Sequence, residues 1–596
     1  MNRWWACSLA GTIACAAVAL TPAGCSGSAS DQSDGGAEAS HPDRKAPPPV
    51  DGGADHSIGK DAAKDAVSPL DSTASEAGGD GGDGGPFGIP AEGGPTVPAG
   101  ATQLVNTVDA GFDTVGMQVL GITDDDYVIY TGLGKTEPVF AVPLAGGASI
   151  PIVADAGTAG YLPLIIHRTV FIWTGQTIDM TFGNSVGVLT FWTKAGGVQA
   201  TTTHSTVGAV SASPDGTKVV YSANVSTRGT TGDFVASNAD GTGKTTLLTG
   251  TSTSLPIAIP ATIPYFPDLG FTNDAYFVAT HQEVTDAGLS SATVSFWDTA
   301  TWTKTDLIQG AAVATGPGAT LTSGVSWSSS RTGTGFGSTV VASTSAGALQ
   351  AFDLPSATHV PIDTGVTSFY MKPDGSGVFY GTGSSGAYKL AALPSAAITT
   401  ILTTGYGGFI YNYPYLIQSQ PLGDPPSTIS PDGNWAVFYK VPGPTYDSDL
   451  NLIQNVASST SVPLLSAPTG IINNEDAFTA DSTYALYMTS YTSVGTGSLY
   501  AYPVAGSEAV AISTNNVWDS NYLAGTKILY MDNYMALSNG VADIYTVDVS
   551  ASTLAPTSII KAADSSYWLT TDRTKMVFSL IAAGNTKTNG IWVIAP

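Results

Sequence analysis

Beyond residue 25 the chain has no cysteine: Cys7, Cys15 and Cys25 are the only three in 596 residues. The body that follows therefore has no disulfide to brace it and no thiolate set for a zinc or iron–sulfur centre. Basic side chains are also scarce. Against 47 Asp and Glu there are 21 Lys and Arg, and the net charge of −26 repels phosphate backbones and anionic head groups, which excludes nucleic acid as an expected partner. Charged residues of both signs make up only 11% of the chain, so its surface must be built largely from Gly, Ser, Thr and Ala. The six histidines are scattered, with His41 and His56 early and His167, His204, His281 and His359 far apart, and none sits in an H-E-x-x-H or paired spacing. They imply no metal centre, and no cofactor motif replaces them. After residue 101 no stretch of helical length carries an amphipathic period.

What is present begins with an export signal. Arg3 supplies the positive end, and the apolar stretch from Ala6 to Leu20 is too short to span a bilayer as a stable helix. The segment Thr21-Pro22-Ala23-Gly24-Cys25 resembles a bacterial lipoprotein signal, in which a small residue precedes a cysteine that is lipidated and begins the mature chain. Pro22 departs from that pattern. The resemblance implies a signal peptide over residues 1–24, lipidation of Cys25 and attachment to the cell envelope. With Ser26 rather than Asp after the cysteine, it points to the outer membrane; plain secretion is the alternative. Residues 25–100 then collapse to Gly, Asp, Ala, Ser and Pro, as in EAGGDGGDGGPFGIP, and offer almost no large apolar side chain to bury. Such a segment is expected to act as a disordered, self-repelling tether.

From residue 101 a tight acidic turn recurs ahead of apolar runs, most clearly in SASPDGTKVVYSA, YMKPDGSGVFYGT, TISPDGNWAVFYK and LTTDRTKMVFSL. Pro presets φ, Asp closes a local side-chain bond and Gly accepts φ > 0, so a strand hairpin follows. Ten copies of the strand after this turn are visible, among them YVIYTG, KVVYSANV, WAVFYK, KILYMDN and KMVFSL. Each is the second strand of a unit of about 40–60 residues with four strands, a to d, the size of a propeller blade. Units fall near 120–157, 158–206, 207–252, 264–312, 322–366, 367–405, 406–468, 469–515, 516–564 and 565–596. The last is short, and TQLVNTV at 102–108 is available as its missing outer strand, closing the ring between the two ends of the chain.

Pro214-Asp215-Gly216, Pro373-Asp374-Gly375, Pro431-Asp432-Gly433 and Asn238-Ala239-Asp240-Gly241, each beside an aliphatic and aromatic strand, resemble TolB-type repeats, a WD-type pattern also seen in propellers of prolyl oligopeptidase relatives. The expectation is an all-β fold over 101–596: a β-propeller of four-stranded antiparallel blades, with about 8–10 blade-like units in one ring or two adjoining rings.

In a four-stranded meander the a–b and c–d turns emerge at one end, and the b–c and d–a connections at the other. The first set is short throughout, whereas b–c stretches such as THQEVTDAGLSSA and MDNYMALSNGVAD are long, so binding is expected on their rim. Tyr406, Tyr411, Tyr413, Tyr415, Tyr446, Tyr491 and Tyr534 fall on or near it as candidate contacts, though tyrosines there also serve to cover blade edges. Asp215, Asp274, Asp374, Asp432, Asp481 and Asp572 occupy equivalent turns of separate blades and read as turn-capping acids, not as a metal or acid–base cluster. Gly183-Asn184-Ser185-Val186-Gly187 matches G-x-S-x-G but lies between two strands instead of on a strand-to-helix elbow. No catalytic residue is assigned.

Three functions remain open from sequence. The favoured one is a non-catalytic exported propeller binding a protein, peptide or glycan of the envelope or its surroundings, with the membrane reached only through the lipid on Cys25. The alternatives are a propeller enzyme of lyase, lactonase or hydrolase type with a calcium-assisted site at the ring axis, and a structural surface-display protein.

Overall fold

The computed structural model describes residues 97–596 apart from 253–268, 313–324, 403–429, 441–448, 466–476 and shorter connecting segments. Every regular element among the described residues is a strand, and neighbouring strands pair antiparallel. They form ten sheets in chain order. Sheets 1 to 6 cover 117–153, 164–206, 210–252, 269–312, 325–363 and 366–402, and sheets 7 to 10 cover 435–465, 484–517, 519–564 and 567–594. Eight have four strands, while sheets 7 and 8 show three among the described residues. Sheet 4 also carries a two-stranded ribbon, Val284–Thr285 with Gly288–Leu289, in its b–c connection. This is the β-propeller expected from the repeats. The outer strand of sheet 8 runs on to Val517, past the sequence boundary at 515, and only Trp518 separates it from the first strand of sheet 9.

Strand b explains why these sheets stack. In Tyr127–Gly132 and in Met576–Leu580 every residue is buried, so apolar groups face both sides of the sheet in a continuous run. One face of sheet 1 packs Ile129, Ala141 and Ile152 against Val170, Ile172 and Trp192 of sheet 2. Its other face packs Val128, Tyr130 and Val142 against Val577, Ile591 and Val593 of sheet 10. Equivalent clusters join sheets 2–3, 3–4, 4–5, 5–6, 7–8, 8–9 and 9–10. Each buried Val, Leu, Ile or Phe contributes roughly 1.5–3 kcal/mol relative to exposure, so a sheet standing alone would forgo most of its stabilisation.

Sheet 10 is completed from the far end of the chain. Thr102–Asn106 pairs antiparallel with Gly590–Ile594 as the outermost strand, and Leu104 and Val105 are buried in the cluster shared with sheet 1. Thr107 N–H donates to the Asn589 carbonyl at 3.1 Å, which continues the register. At Gly590, φ is +154° and a Cβ would run into the Val105 carbonyl oxygen, so the close approach of these strands requires glycine there.

We expect Gly590→Val to cost about 1–3 kcal/mol by overpacking this crossing. Amide hydrogen exchange should show protection lost first over residues 102–106 and 590–594. Unchanged protection would mean that the strand does not hold the closure.

Candidate binding rim

The short-turn end is built around a buried hydroxyl. Ser213 Oγ donates to Asp215 Oδ1 at 2.6 Å and accepts from the Lys218 amide at 2.9 Å, while Asp215 Oδ1 also accepts from the Thr217 amide at 2.9 Å. Sheet 7 repeats this clasp with Ser430, Asp432 and the Trp435 amide, sheet 8 with Thr479, Asp481 and the Tyr484 amide, and sheet 10 with Thr570, Asp572 and the Lys575 amide. In sheet 1 Thr123, Asp125 and the Tyr127 amide form a version one residue shorter. Burial pushes the carboxyls of Asp215, Asp481 and Asp572 up, but the hydroxyl and amide donors outweigh it and hold all three below the usual carboxylate range. The sequence reading attended to Pro, Asp and Gly and missed the Ser or Thr two residues before the acid, although its recurrence was visible.

Adjacent clasps are also tied to each other. Asp215 N–H donates to Asp274 Oδ1 at 2.9 Å and Asp432 N–H to Ser482 Oγ at 3.1 Å. Asp124 joins three sheets, because its Oδ1 accepts from Thr571 at 2.7 Å and its Oδ2 lies 2.9 Å from His167 Nδ1. The Arg573 guanidinium stacks 3.6 Å from the Tyr522 ring centroid and donates to the Tyr522 carbonyl at 3.0 Å. Asp274 therefore differs from the expectation of a turn acid remote from the others. Asn273 Oδ1 accepts from the Ala275 and Tyr276 amides, which leaves Asp274 to reach the neighbouring sheet. Asp374 lies outside the described residues.

The opposite rim is where the candidate tyrosines were expected. Tyr406, Tyr411, Tyr413, Tyr415, Tyr446 and Tyr491 lie outside the described residues. Tyr534, at the end of strand b of sheet 9, stacks on Trp518 with ring centroids 4.3 Å apart and planes 19° from parallel. Both rings are half-buried over the core between sheets 9 and 10. Trp518 holds its position because its amide donates to the Met531 carbonyl at 3.1 Å.

Polar groups flank this stack on two sides. Outward, the buried Asp532 accepts from Ser513 Oγ at 2.9 Å and from the Asn533 amide at 2.8 Å, and Asn533 Nδ2 reaches Asp543 at 3.1 Å. Burial, with Asp543 nearby, raises the Asp532 carboxyl above its ordinary value despite those donors. Inward, Asp519 Oδ2 accepts from Asn521 Nδ2 at 3.0 Å and from the Tyr567 hydroxyl at 3.1 Å, on the first strands of sheets 9 and 10. Sequence reasoning found Tyr534 alone; Trp518 was hidden because a one-residue connection has no loop signature.

One other polar cluster resembles a catalytic set. In sheet 4, His281 Nε2 lies 2.9 Å from Ser295 Oγ, and Ser295 donates to Asp306 Oδ1 at 2.7 Å. With the serine proton committed to the carboxylate, the imidazole donates through Nε2 and leaves Nδ1 as a buried atom with no partner among the described residues. Serine therefore stands between the other two, whereas nucleophilic activation needs the histidine in the middle. Burial, reinforced by Lys304, pushes His281 down to about 4. Ser185 of the G-x-S-x-G match is the second residue of the strand Asn184–Thr193 and pairs with Ile178 across a hairpin. Among the described residues no group of three or more His, Cys, Asp or Glu side chains is placed to hold a metal ion.

No protein-family model matches the chain, and no curated protein is similar to it. Solved structures are. The tricorn protease is 12% identical with a TM-score of 0.26, over 78% of this chain and 51% of that one. The β-propeller domain of the Trilobed protease from Pyrococcus furiosus is 10% identical with a TM-score of 0.26, over 67% and 96%. TolB from Acinetobacter baumannii is 13% identical with a TM-score of 0.24, over 54% and 80%. The chain spans about half the length of the tricorn protease. Likeness at this level concerns fold alone, and propellers host many unrelated activities. The class is set by the ten sheets: a β-propeller whose short-turn rim is bonded across sheets and whose opposite rim carries, among the described residues, the Trp518–Tyr534 stack.

Two outcomes follow. Ser430→Ala leaves the Trp435 amide without its buried acceptor and should cost about 1–3 kcal/mol, whereas Ser430→Thr keeps the hydroxyl and should cost much less, read as shifts in thermal midpoint. His281 is held neutral in the folded state and titrates normally when unfolded. Its contribution is thus complete above pH ~6.5 and lost as pH falls towards 4, a change on the order of 3 kcal/mol. Loss from the clasp carboxylates begins only below the ordinary Asp value. His281→Phe should flatten the thermal midpoint between pH 7 and 4.5; an unaltered pH profile would refute the assignment.

Proposed function

We propose that this chain is an exported, envelope-anchored, non-catalytic propeller that binds a protein, peptide or glycan through its long-loop rim. The observation that carries this reading is the contrast between the rims. At the short-turn end, turn acids and amides are spent on clasps and inter-sheet bonds, as at Asp124, Asp215 and Asp432. At the other end lies a half-buried aromatic stack, with the exposed Asn515, Asn516 and Asn533 within three residues of its rings along the chain. The strand Thr102–Asn106 enters the body at the short-turn end, since it runs antiparallel to Gly590–Ile594 and its first residue pairs with Val593. The chain's entry thus leaves the aromatic rim open. Export and anchoring rest on the signal-like residues 1–24 and on Cys25, which we assign as the lipidated residue of an outer-membrane lipoprotein.

A photo-crosslinking residue placed at Asn533 should capture a partner in envelope preparations, and the same residue at Asp240, on a c–d turn of the other rim, should not. Capture from Asp240 alone would reverse the assignment of the binding face. Cys25→Ser should abolish incorporation of labelled fatty acid and release the protein from membranes. Incorporation by that variant would remove Cys25 as the anchor.

A further inference from the structure

Resting on the rim being the binding face, we infer that Trp518, Tyr534 and the amides beside them form a subsite for one pyranose ring of a neutral glycan. The apolar C–H face of a sugar packs on an aromatic ring, and the Trp518–Tyr534 stack is a rigid one, backed by the core between sheets 9 and 10. A sugar also needs planar donors and acceptors at the edge of that platform for its hydroxyls. They are supplied by an expanded bulge in the outer strand of sheet 8. Gly497 pairs with Val517 and Leu499 with Ser513, so the exposed Thr514, Asn515 and Asn516 stand opposite Ser498 alone. Asn516 and Asn533 both adopt left-handed backbone, with φ of 56° and 53°, and Asn533, which directly precedes Tyr534, donates through Nδ2 to Asp543 and keeps its Oδ1 as an acceptor.

Charge selects among sugars and against other ligands. Asp519, Asp532 and Asp543 lie around the stack in a chain of net charge −26, which disfavours uronates, sulfated sugars and phosphate. A basic peptide is the competing occupant. Against it, these carboxylates take hydrogen bonds from neutral donors, namely Ser513, Asn521, Asn533 and Tyr567, and Asp532 lies buried beneath the surface. The amides and hydroxyls of the bulge match a ligand rich in hydroxyls instead.

Calorimetric titration of the full chain with neutral hexasaccharides of glucose, mannose and galactose tests this, with hexagalacturonate and hexalysine alongside. At least one neutral hexasaccharide should bind saturably, and Trp518→Ala should weaken it about tenfold or more. Asn533→Gly preserves the left-handed backbone and removes only the amide, so it decides the matter should Trp518→Ala fail to fold; about a threefold or greater loss is expected. The inference is overturned if no neutral hexasaccharide binds, or if Asn533→Gly binds as the parent does. Binding of hexalysine in their place, lost in Asn533→Gly, would overturn it too while leaving the rim as the binding face.

Discussion

Sheets 1 to 6 and 8 to 10 are apolar on both faces, and everything else follows from having to cover them. A two-faced sheet needs a neighbour on each side, so a linear array would leave two wet apolar faces at its ends. Sheets 1 and 10 solve this by packing on each other, with Val128, Tyr130 and Val142 against Val577, Ile591 and Val593. The strand Thr102–Asn106 then fastens the outside of that junction with main-chain hydrogen bonds, so both ends of the body share one sheet. Gly590 is the local concession that lets the strands approach closely.

The same stacking makes the two rims unequal. Where the turns are short, the buried hydroxyls of Ser213, Ser430, Thr479 and Thr570 bind both the turn acid and the amide that opens strand b. The resulting turns are rigid enough to bond across sheet junctions, as Asp215 does to Asp274 and Asp432 to Ser482. At the opposite end connections vary in length, and the shortest of them, Trp518, brings an aromatic ring against Tyr534. The scaffold thus pairs one end of repeated geometry with one end of variable connections, where single side chains are placed by individual loops.

The blade repeat was legible because a two-residue period and a Pro-Asp-Gly turn leave their mark on consecutive residues. The closing role of 102–108 was also legible, since the last unit lacked one strand and the chain offered one. The rim site was less so. Tyr534 sits at the end of a recognisable strand, but Asn515, Asp519, Asn521 and Tyr567 come from three strands in three sheets, and no linear spacing relates them. Asp274 shows the same limit, since its partner Asp215 is 59 residues away and in the preceding sheet.

The sequence by itself determined the all-β class, the recurring strand and acidic turn, and the pairing of the chain's two ends, all of which depend on local backbone preference and a tally of strands. Only the tertiary structure decided which acids close their own turns and which bridge sheets, and which aromatic ring meets another on the rim. Those outcomes depend on the offset between neighbouring sheets, which is set by how their side chains interlock and is written in no single segment.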